Sequence, residues 1–320
     1  SILTYFLKDY LAVNLNTPES EINSDIASSS DAFIFDRIDG YELINPLVFA
    51  EHANESKEYA AIKLKLSNLI EQYKQSNILM SASIYLEDFK QGEWMSINQS
   101  ETYYPGSLIK IAALITYLRM SEEQLGLLDK KLSFTSPKEF IPNQTFKSKQ
   151  IELNKSYSIR ELLRYMISYS DNNATYLLRK NVDGATYFRL FKDLRIPGPT
   201  PGKSEFQMTA GDFSVFFKVI YNAGYLSREN SEFAAELLKE CDFKFGMVKG
   251  VPENTIVAHK FGEMGDATTR QLHESGLVYV NKTPYLLTIM TKGYDIKQLP
   301  EVISSISKMV FEDFKQKVPQ

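Results

Sequence analysis

Cysteine and histidine are both scarce in this 320-residue sequence. Its one cysteine, Cys241, can form neither an intramolecular disulfide nor a multi-cysteine zinc site, so a disulfide-stapled fold and a zinc ribbon are excluded. His52 and His259 have no partners at the spacing of metal ligands, and the sequence has no glycine-rich phosphate loop. We therefore expect chemistry without a metal or any other cofactor.

Long apolar runs and an excess of positive charge are also missing. No run approaches the roughly 18 residues that a membrane-spanning helix needs. The 36 basic residues are outnumbered by 40 acidic ones and form no long stripe, which argues against nucleic acid or an anionic membrane surface as a partner. With 43% hydrophobic and 24% charged residues, the composition is typical of an ordinary globular protein.

The hydrophobic pattern changes several times along the chain. Residues 1–54 have little regular pattern and are predicted to form an arm or a stalk. A helix is predicted over 55–75, and a hairpin is predicted over 78–97. The middle of the chain then has helical spacing, with helices predicted over 110–120, 158–169, 174–181, 210–223 and 228–241. The residues 194–207 interrupt this region as a loop rich in proline and glycine.

After residue 250 the pattern returns to strands, and the chain closes with a helix. The predicted strands are 255–261, 276–280 and 285–291, and the helix is 300–314. The sequence therefore predicts an α/β fold of the α+β type, with one antiparallel sheet, covered by the first and last helices, and an all-helical lobe. The sheet lobe would comprise 55–106 and 251–320, the helical lobe 107–250, and together they would form one domain, 55–320. We expect a ligand cleft where the lobes meet.

A serine and a lysine stand one helical turn apart, at Ser107 and Lys110. A serine hydroxyl becomes a useful nucleophile when a nearby base removes its proton, and burial lowers the pKa of a lysine so that the neutral amine is available. Free N–H groups at the start of a helix can stabilise the oxyanion that forms when the hydroxyl attacks a carbonyl. The spacing alone is weak evidence, because an isolated match is more often a helix-capping serine. The same S-x-x-K pattern recurs at Ser305 and Lys308, where a solvated helix face is predicted.

Two further polar elements follow in order. Ser-Asp-Asn occupies 170–172, between two predicted helices, and Lys-Phe-Gly occupies 260–262, at the end of a predicted strand. The motifs S-x-x-K, S-D-N and K-T-G occur together in class A β-lactamases and penicillin-binding proteins. Over 55–314 the chain therefore resembles the class A β-lactamase-like serine hydrolases, whose β-lactamase/transpeptidase-like fold packs a helical lobe against an antiparallel α/β lobe.

The resemblance implies a catalytic role for each matched side chain. Ser107 would be the acylated nucleophile, and Lys110 would be its base. Ser170 would pass protons to the leaving group, and Lys260 would attract a substrate carboxylate and help to polarise Ser170. Without the resemblance, a helix-capping turn would explain 170–172, and a surface lysine on a strand would explain Lys260.

The resemblance also implies substrate-binding positions. The side chain of Asn172 would hold an amide of the substrate. The backbone N–H groups of Ser107 and Glu263, beside Gly262, would form the oxyanion hole.

One departure from the family pattern concerns the substrate carboxylate. Family members usually have threonine or serine between the lysine and glycine of the third motif, and its hydroxyl meets that carboxylate. This chain has Phe261, whose ring donates no hydrogen bond. Arg270 and His273 are candidates to bind the carboxylate instead, although an exposed charge and a polar residue at a strand entry explain them equally well.

A second departure concerns release of the acyl group. Class A β-lactamases carry a glutamate, on a loop after the second motif, that activates the hydrolytic water. Between Asn172 and Met208 this chain has the acids Asp183, Asp193 and Glu205, none of them in the family's glutamate motif. Glu205 is the candidate deacylation base because it is near the end of the loop. Without such a base, acylation would proceed while hydrolysis of the ester stalls.

The resemblance predicts a serine hydrolase or acyltransferase that forms an acyl-enzyme with β-lactams or cell-wall peptide amides. The alternative is a penicillin-binding receptor or cell-wall sensor that acylates or binds without efficient turnover, and Phe261 and the missing glutamate favour it. In both cases the expected partner is a β-lactam or a small peptidoglycan-derived substrate. Because the chain starts at Ser1 without methionine, we also expect an export signal or membrane tether outside it, and a bacterial, extracytoplasmic location.

Overall fold

The structure is a computed structural model that describes residues 32–136, 144–200, 206–266, 268–280 and 283–317. Its first described element is a hairpin that the sequence pattern did not predict, formed by β1 (Phe33–Arg37) and β2 (Leu47–His52). Both faces of β1 are exposed or partly exposed, and its residues do not alternate between apolar and polar. A strand without this alternation gives no clear sequence pattern. The predicted arm or stalk before residue 32 lies outside the described residues.

One helix and two strands follow the hairpin: α1 (Ala60–Gln75), β3 (Leu79–Asp88) and β4 (Glu93–Ile97). Ile62, Leu66 and Ile70 are buried at four-residue spacing along α1, which is the spacing of one helix face. The predicted helix and hairpin are confirmed here.

The middle of the chain forms the helical lobe. Its described elements are α2 (Lys110–Glu123), β5 (Lys131–Phe134), β6 (Lys155–Ser158), α3 (Ile159–Ser168), α4 (Asn172–Asn181), α5 (Gly184–Asp193), α6 (Ala210–Tyr221) and α7 (Arg228–Lys239). The small β5–β6 hairpin and α5 were not predicted from the sequence. Among the residues of α5, only Leu190 and Phe191 are fully buried, so its apolar stripe is too short to stand out.

The chain returns to the sheet with β7 (Val257–Gly265), β8 (Arg270–Val280) and β9 (Thr283–Gly293), and it ends in α8 (Leu299–Lys317). The five strands are ordered β4-β3-β9-β8-β7 and are all antiparallel, so β7 is an edge strand. The start of β8 was missed because buried polar residues interrupt its apolar pattern: Gln271, His273, Glu274 and Ser275.

Two apolar cores cover the faces of the sheet. One lies between the sheet and the helices α1 and α8, and the other lies between the opposite face and the helical lobe. Along β7, Val257 and Phe261 belong to the first core and Ala258 to the second, because side chains alternate across a strand. Lys260 therefore projects towards the helical lobe. The predicted α+β architecture is confirmed, and within the described ranges no helix is long and apolar enough to cross a membrane.

Candidate active site

Ser107 lies in a single 3-10 turn, Gly106–Ile109, that leads directly into α2. This turn packs against the edge strand β7. A Cβ atom on Gly262 would come within 2.4 Å of the backbone just before the turn, and one on Gly106 would come within 2.5 Å of Glu263 O. Glycine at both positions allows the two backbone segments to approach this closely. Ser107 and Glu263 therefore lie on segments in direct contact, and both are partly exposed.

Lys110 begins α2, and only 4% of it is exposed. Its Nζ donates to Ser170 O and to Asn172 Oδ1, at 2.7 Å each, and it lies 3.3 Å from Ser170 Oγ. Burial, together with the nearby charge of Lys260, holds the pKa of Lys110 well below its usual range. A neutral amine has two N–H groups for the two carbonyl oxygens, which leaves its lone pair available as a base.

Ser170 joins the three motifs. It is buried, and its φ of +53° places it in the left-handed region that residues other than glycine rarely adopt. Lys260 Nζ donates to Ser170 Oγ at 2.9 Å, so one hydroxyl lies between two lysines that are 60 and 90 positions away along the chain. Strained backbone of this kind tends to occur at functional sites.

Asp171, the middle residue of the second motif, holds the backbone around Ser170 and Asn172 in place. It is fully buried, and its side chain caps α4 by accepting from Asn173 N at 2.8 Å. Its other carboxylate oxygen accepts from Ile151 N, also at 2.8 Å. Burial raises the pKa of Asp171, and these hydrogen bonds oppose the rise. Asp171 therefore fixes the position of its two neighbours in the motif.

Lys260 is fully buried on β7. Besides Ser170 Oγ, its Nζ donates to Phe261 O at 2.9 Å and lies 4.3 Å from the centroid of the Phe261 ring. That ring is stacked on Phe243, with centroids 4.3 Å apart. Burial lowers the pKa of Lys260 to about 8. Phe261 thus offers an aromatic face to the ammonium in place of a hydroxyl, an arrangement that stabilises a cation.

A segment that the sequence did not single out connects the two sides of the site. Gln144 Nε2 donates to Ser170 O at 2.6 Å, and Thr145 N donates to both carboxylate oxygens of Glu263, at 2.9 and 3.1 Å. Phe146 packs edge-on against Phe261. These residues have no motif of their own, and only the fold brings them to the site.

Two predicted site residues, His273 and Arg270, lie elsewhere. His273 is fully buried; its Nδ1 accepts from Thr291 N at 3.1 Å, so the protonated Nε2 donates to Tyr104 O, also at 3.1 Å. Burial lowers the pKa of His273 to about 3, so the ring is neutral. Because the backbone occupies both of its ring nitrogens, His273 has no donor for a substrate carboxylate, contrary to the expectation.

Arg270 is also not part of this cluster. Arg270 pairs with Gly265 at the turn between β7 and β8, and its charge acts on Asp266 there. Glu205 lies outside the described residues. Within the described ranges, no group of three His, Cys, Asp or Glu side chains could hold a metal ion; the expectation of chemistry without a metal or cofactor stays a prediction.

Known proteins are similar to this chain in sequence pattern and in fold. A family model described as the β-lactamase enzyme family matches residues 61–314. A mutant of PBP-A, solved as an acyl-enzyme complex with penicillin G, is 20% identical, with a TM-score of 0.67 over 80% of this chain and 97% of that one. No curated protein matches the chain.

Two bacterial β-lactamase structures are similar to the same extent. The enzyme from Chitinophaga pinensis DSM 2588 is 18% identical, with a TM-score of 0.70 over 79% of this chain and 98% of that one. A representative of class A from Bacteroides cellulosilyticus DSM 14838 is 17% identical, with a TM-score of 0.69 over 82% and 100%. At these identities the structural matches show a shared fold.

Proposed function

The chain belongs to the β-lactamase enzyme family, and on that basis we propose that it is a serine hydrolase that forms an acyl-enzyme through Ser107. One observation carries the proposal: the Ser170 hydroxyl lies between Lys110 Nζ, at 3.3 Å, and Lys260 Nζ, at 2.9 Å. Two buried lysines around one hydroxyl form a path for protons, and Ser107, which precedes Lys110 by one helical turn, is itself partly exposed.

In the proposed mechanism, Lys110 is the base of the acylation step. Its neutral amine takes the proton from Ser107 Oγ as that oxygen attacks the substrate carbonyl. The oxyanion is stabilised by the backbone N–H groups of Ser107 and Glu263. The proton then passes from Lys110 through Ser170 to the leaving nitrogen, and the ammonium of Lys260 favours this transfer by donating to the same hydroxyl.

The proposed substrates are β-lactams and cell-wall peptide amides. The Asn172 side chain, which is partly exposed and held by Lys110, would bind a substrate amide. Lys260 would supply positive charge for a carboxylate, and the Phe261 ring beneath it supplies no hydroxyl for this purpose. An extracytoplasmic location, secreted or tethered, follows from these substrates and belongs to the same proposal.

A second candidate function is a penicillin-binding receptor or sensor that keeps its acyl group. The carboxylates that act electrostatically on Lys110 are Asp171 and Glu263. Asp171 is fully buried and holds Ile151 N and Asn173 N, and Glu263 holds Thr145 N, so each of these two carboxylates already has a structural role. This observation favours slow hydrolysis of the acyl-enzyme.

Intact-protein mass spectrometry over time, after mixing with a penicillin and separately with a chromogenic cephalosporin, tests the proposal. A transient adduct with accumulating product would support the hydrolase. An adduct that persists would support the receptor or sensor. Neither adduct nor product, with a protein shown to be folded, would contradict both.

A further inference from the structure

Glu263 brings a carboxylate to the edge of the sheet at the proposed site. It lies on the edge strand β7, and its backbone is in contact with the turn that carries Ser107, since a Cβ atom on Gly106 would lie 2.5 Å from Glu263 O. The proposed mechanism uses the backbone N–H of Glu263 and gives its side chain no part. That side chain belongs to a residue that is partly exposed, so a substrate can reach it.

Glu263 and Phe261 lie on the same face of β7. They are two residues apart, so their Cα atoms are about 7 Å apart along the strand and their side chains point to the same side. We call residues 144–146 the strap, and it contacts both side chains. Thr145 N donates to the two carboxylate oxygens of Glu263, at 2.9 and 3.1 Å, and Phe146 packs edge-on against Phe261, with ring centroids 6.2 Å apart. The carboxylate and the aromatic ring are therefore neighbours.

The first residue of the strap reaches the second motif. Gln144 Nε2 donates to Ser170 O at 2.6 Å, and Ser170 Oγ accepts from Lys260 Nζ at 2.9 Å. The strap therefore extends from the serine that contacts Lys260 to the carboxylate of Glu263. This places Glu263 beside the position where the family pattern puts a substrate carboxylate, next to Lys260 and Phe261.

The N–H groups of Lys260 already have partners. An ammonium has three N–H groups. Lys260 Nζ donates to Ser170 Oγ and to Phe261 O, each at 2.9 Å, and it lies 4.3 Å from the centroid of the Phe261 ring, whose face accounts for the third direction. Lys260 is also fully buried. A substrate carboxylate would thus receive no N–H group from Lys260 and no hydroxyl from Phe261.

The charge of Glu263 acts in the same direction. A like charge placed against a ligand is one way in which a protein rejects it. A carboxylate has about four lone-pair sites, and Thr145 N is one donor, so Glu263 can accept further N–H groups. An amide or an ammonium group of a substrate supplies such a donor, whereas a carboxylate does not.

We propose that Glu263 determines substrate specificity, and that the protein takes substrates with an uncharged amide or a positively charged amine where the family pattern places a carboxylate. The Glu263 carboxylate accepts a hydrogen bond from that N–H group, and the Phe261 ring packs beside it. The substrate class is then a cell-wall peptide amide whose neighbouring carboxyl group is amidated or replaced by an amine. This assignment rests on the proposed function, because Ser107 and Lys260 define where the group lies.

The first test compares three forms of one probe, namely penicillin G as the free acid, as its methyl ester and as its primary amide. Single-turnover acylation rates at pH 7 are divided by the rate at which each compound hydrolyses in alkali, which corrects for its chemical reactivity. The amide should acylate about tenfold faster than the acid, between the values for two like charges about 5 Å apart in water and at a protein surface. The ester, which is neutral but has no N–H group, should fall between them. An acid that acylates fastest would overturn the inference.

Three variants assign the preference to Glu263. Glu263→Gln should lower the ratio of the amide rate to the acid rate about tenfold, since the repelling charge is lost. Asp242→Asn is the matched control: it removes the same charge from an exposed residue whose side chain accepts from Ser148 Oγ, and it should keep the wild-type ratio. Phe261→Thr, once circular dichroism shows that it is folded, should speed acylation by the acid. An unchanged ratio in Glu263→Gln would overturn the inference.

Lys147 offers a test of the opposite preference. It follows the strap directly and is exposed, so a substrate carboxylate could pair with it. We expect Lys147→Met to leave the ratio of the two rates unchanged. Slower acylation by the acid alone in this variant would show that Lys147 binds the carboxylate, which would overturn the inference.

Binding without acylation separates this inference from the proposed function. Calorimetry with Ser107→Ala measures the affinity for the acid and the amide without a covalent step, and the amide should bind about tenfold more tightly. This preference in a protein whose wild type never acylates would contradict only the proposed function. Equal corrected rates for acid and amide in a protein that acylates through Ser107 would contradict only the specificity. Failure of Ser107→Ala to bind either form would overturn the inference.

Discussion

The chain contains the spacing S-x-x-K in two regions, and their surroundings differ completely. Ser107 and Lys110 lie at the start of α2, where Lys110 is buried and bound to Ser170 and Asn172. Ser305 and Lys308 lie within α8, where the side chain of Lys308 is 68% exposed and its Nζ is 4.0 Å from a carboxylate oxygen of Glu312.

This difference shows what the spacing contributes and what it does not. In both regions the spacing puts a hydroxyl and an amine on neighbouring turns of a helix. Only in the first region do residues from other parts of the fold surround the amine, lower its pKa and connect it to a second hydroxyl. Reactivity therefore depends on burial of the amine and on convergence of the three motifs.

The largest expected effect comes from the nucleophile itself. Ser107→Ala should abolish the covalent adduct with a β-lactam, because Ser107 is partly exposed and one helical turn from the buried Lys110, whereas Ser170, which also has buried amines beside it, is itself buried. Ser305→Ala, the matched control, should form the adduct at the wild-type rate. Intact-protein mass spectrometry measures both. Loss of the adduct in Ser305→Ala, with the adduct kept in Ser107→Ala, would show that Ser305 is the nucleophile.

Removing the base should have the next largest effect. Lys110→Ala should slow acylation by about 10³ to 10⁴-fold, within the range of general base catalysis, whereas Lys308→Ala should stay within about twofold, since an exposed lysine contributes little. Single-turnover rates at saturating β-lactam measure the difference. Equal rates in the two variants would show that burial of Lys110 does not matter.

Removing the bridging hydroxyl should cost less, because the base remains. Ser170→Ala should slow acylation by about 10² to 10³-fold, since proton transfer to the leaving group loses its relay. Ser168 is a matched control: it is buried two residues earlier, and its Oγ donates to Leu237 O, away from the lysines. Ser168→Ala should acylate normally once its folding is confirmed by circular dichroism.

The pH dependence of the acylation rate should report the protonation states of both lysines of the site. Acylation needs Lys260 as an ammonium, and its pKa is lowered to about 8, so the rate should fall as pH rises through about 8. It needs Lys110 as an amine, so the rate should also fall in acid, below the lowered pKa of that group. Stopped-flow acylation from pH 5 to about 10 measures the profile. A rate that keeps rising beyond pH 9 would contradict the assignment of Lys260.

The smallest effect concerns the second S-x-x-K. Ser305 Oγ and Tyr73 OH are 2.9 Å apart and share a hydrogen bond that links α8 to α1. Ser305→Ala should lower the free energy of unfolding by about 0.5 to 1.5 kcal/mol, with no change in acylation. Urea denaturation measures this, and Tyr73→Phe should give a similar loss that is not additive with the first.

The elements with long, one-sided patterns could be predicted from the sequence. The helices α1 and α8 and the hairpin β3–β4 show clear periodicity, and the three motifs are recognisable by residue type and order. The β1–β2 hairpin and α5 could not be predicted, because neither buries a regular apolar stripe. The start of β8 was missed since its buried side chains are polar.

Contacts at the site that depend on the fold could not be predicted from the sequence. Gln144 contacts Ser170 only in the folded protein, and no local sequence signal marks it. The ion pair of His259 and Glu274 depends on the register of β7 against β8, which sequence spacing does not give. Conversely, the prediction that His273 binds substrate is wrong because a buried histidine and an exposed one look alike in sequence.

Peptide mapping of the penicillin adduct tests most directly the claim that surroundings and not spacing make a serine reactive. The wild-type protein is labelled, digested, and its labelled peptides are sequenced by mass spectrometry. The account predicts the adduct on the peptide that contains Ser107 and none on the peptide that contains Ser305. An adduct on Ser305, or on any serine outside the cluster around Ser170, would contradict it.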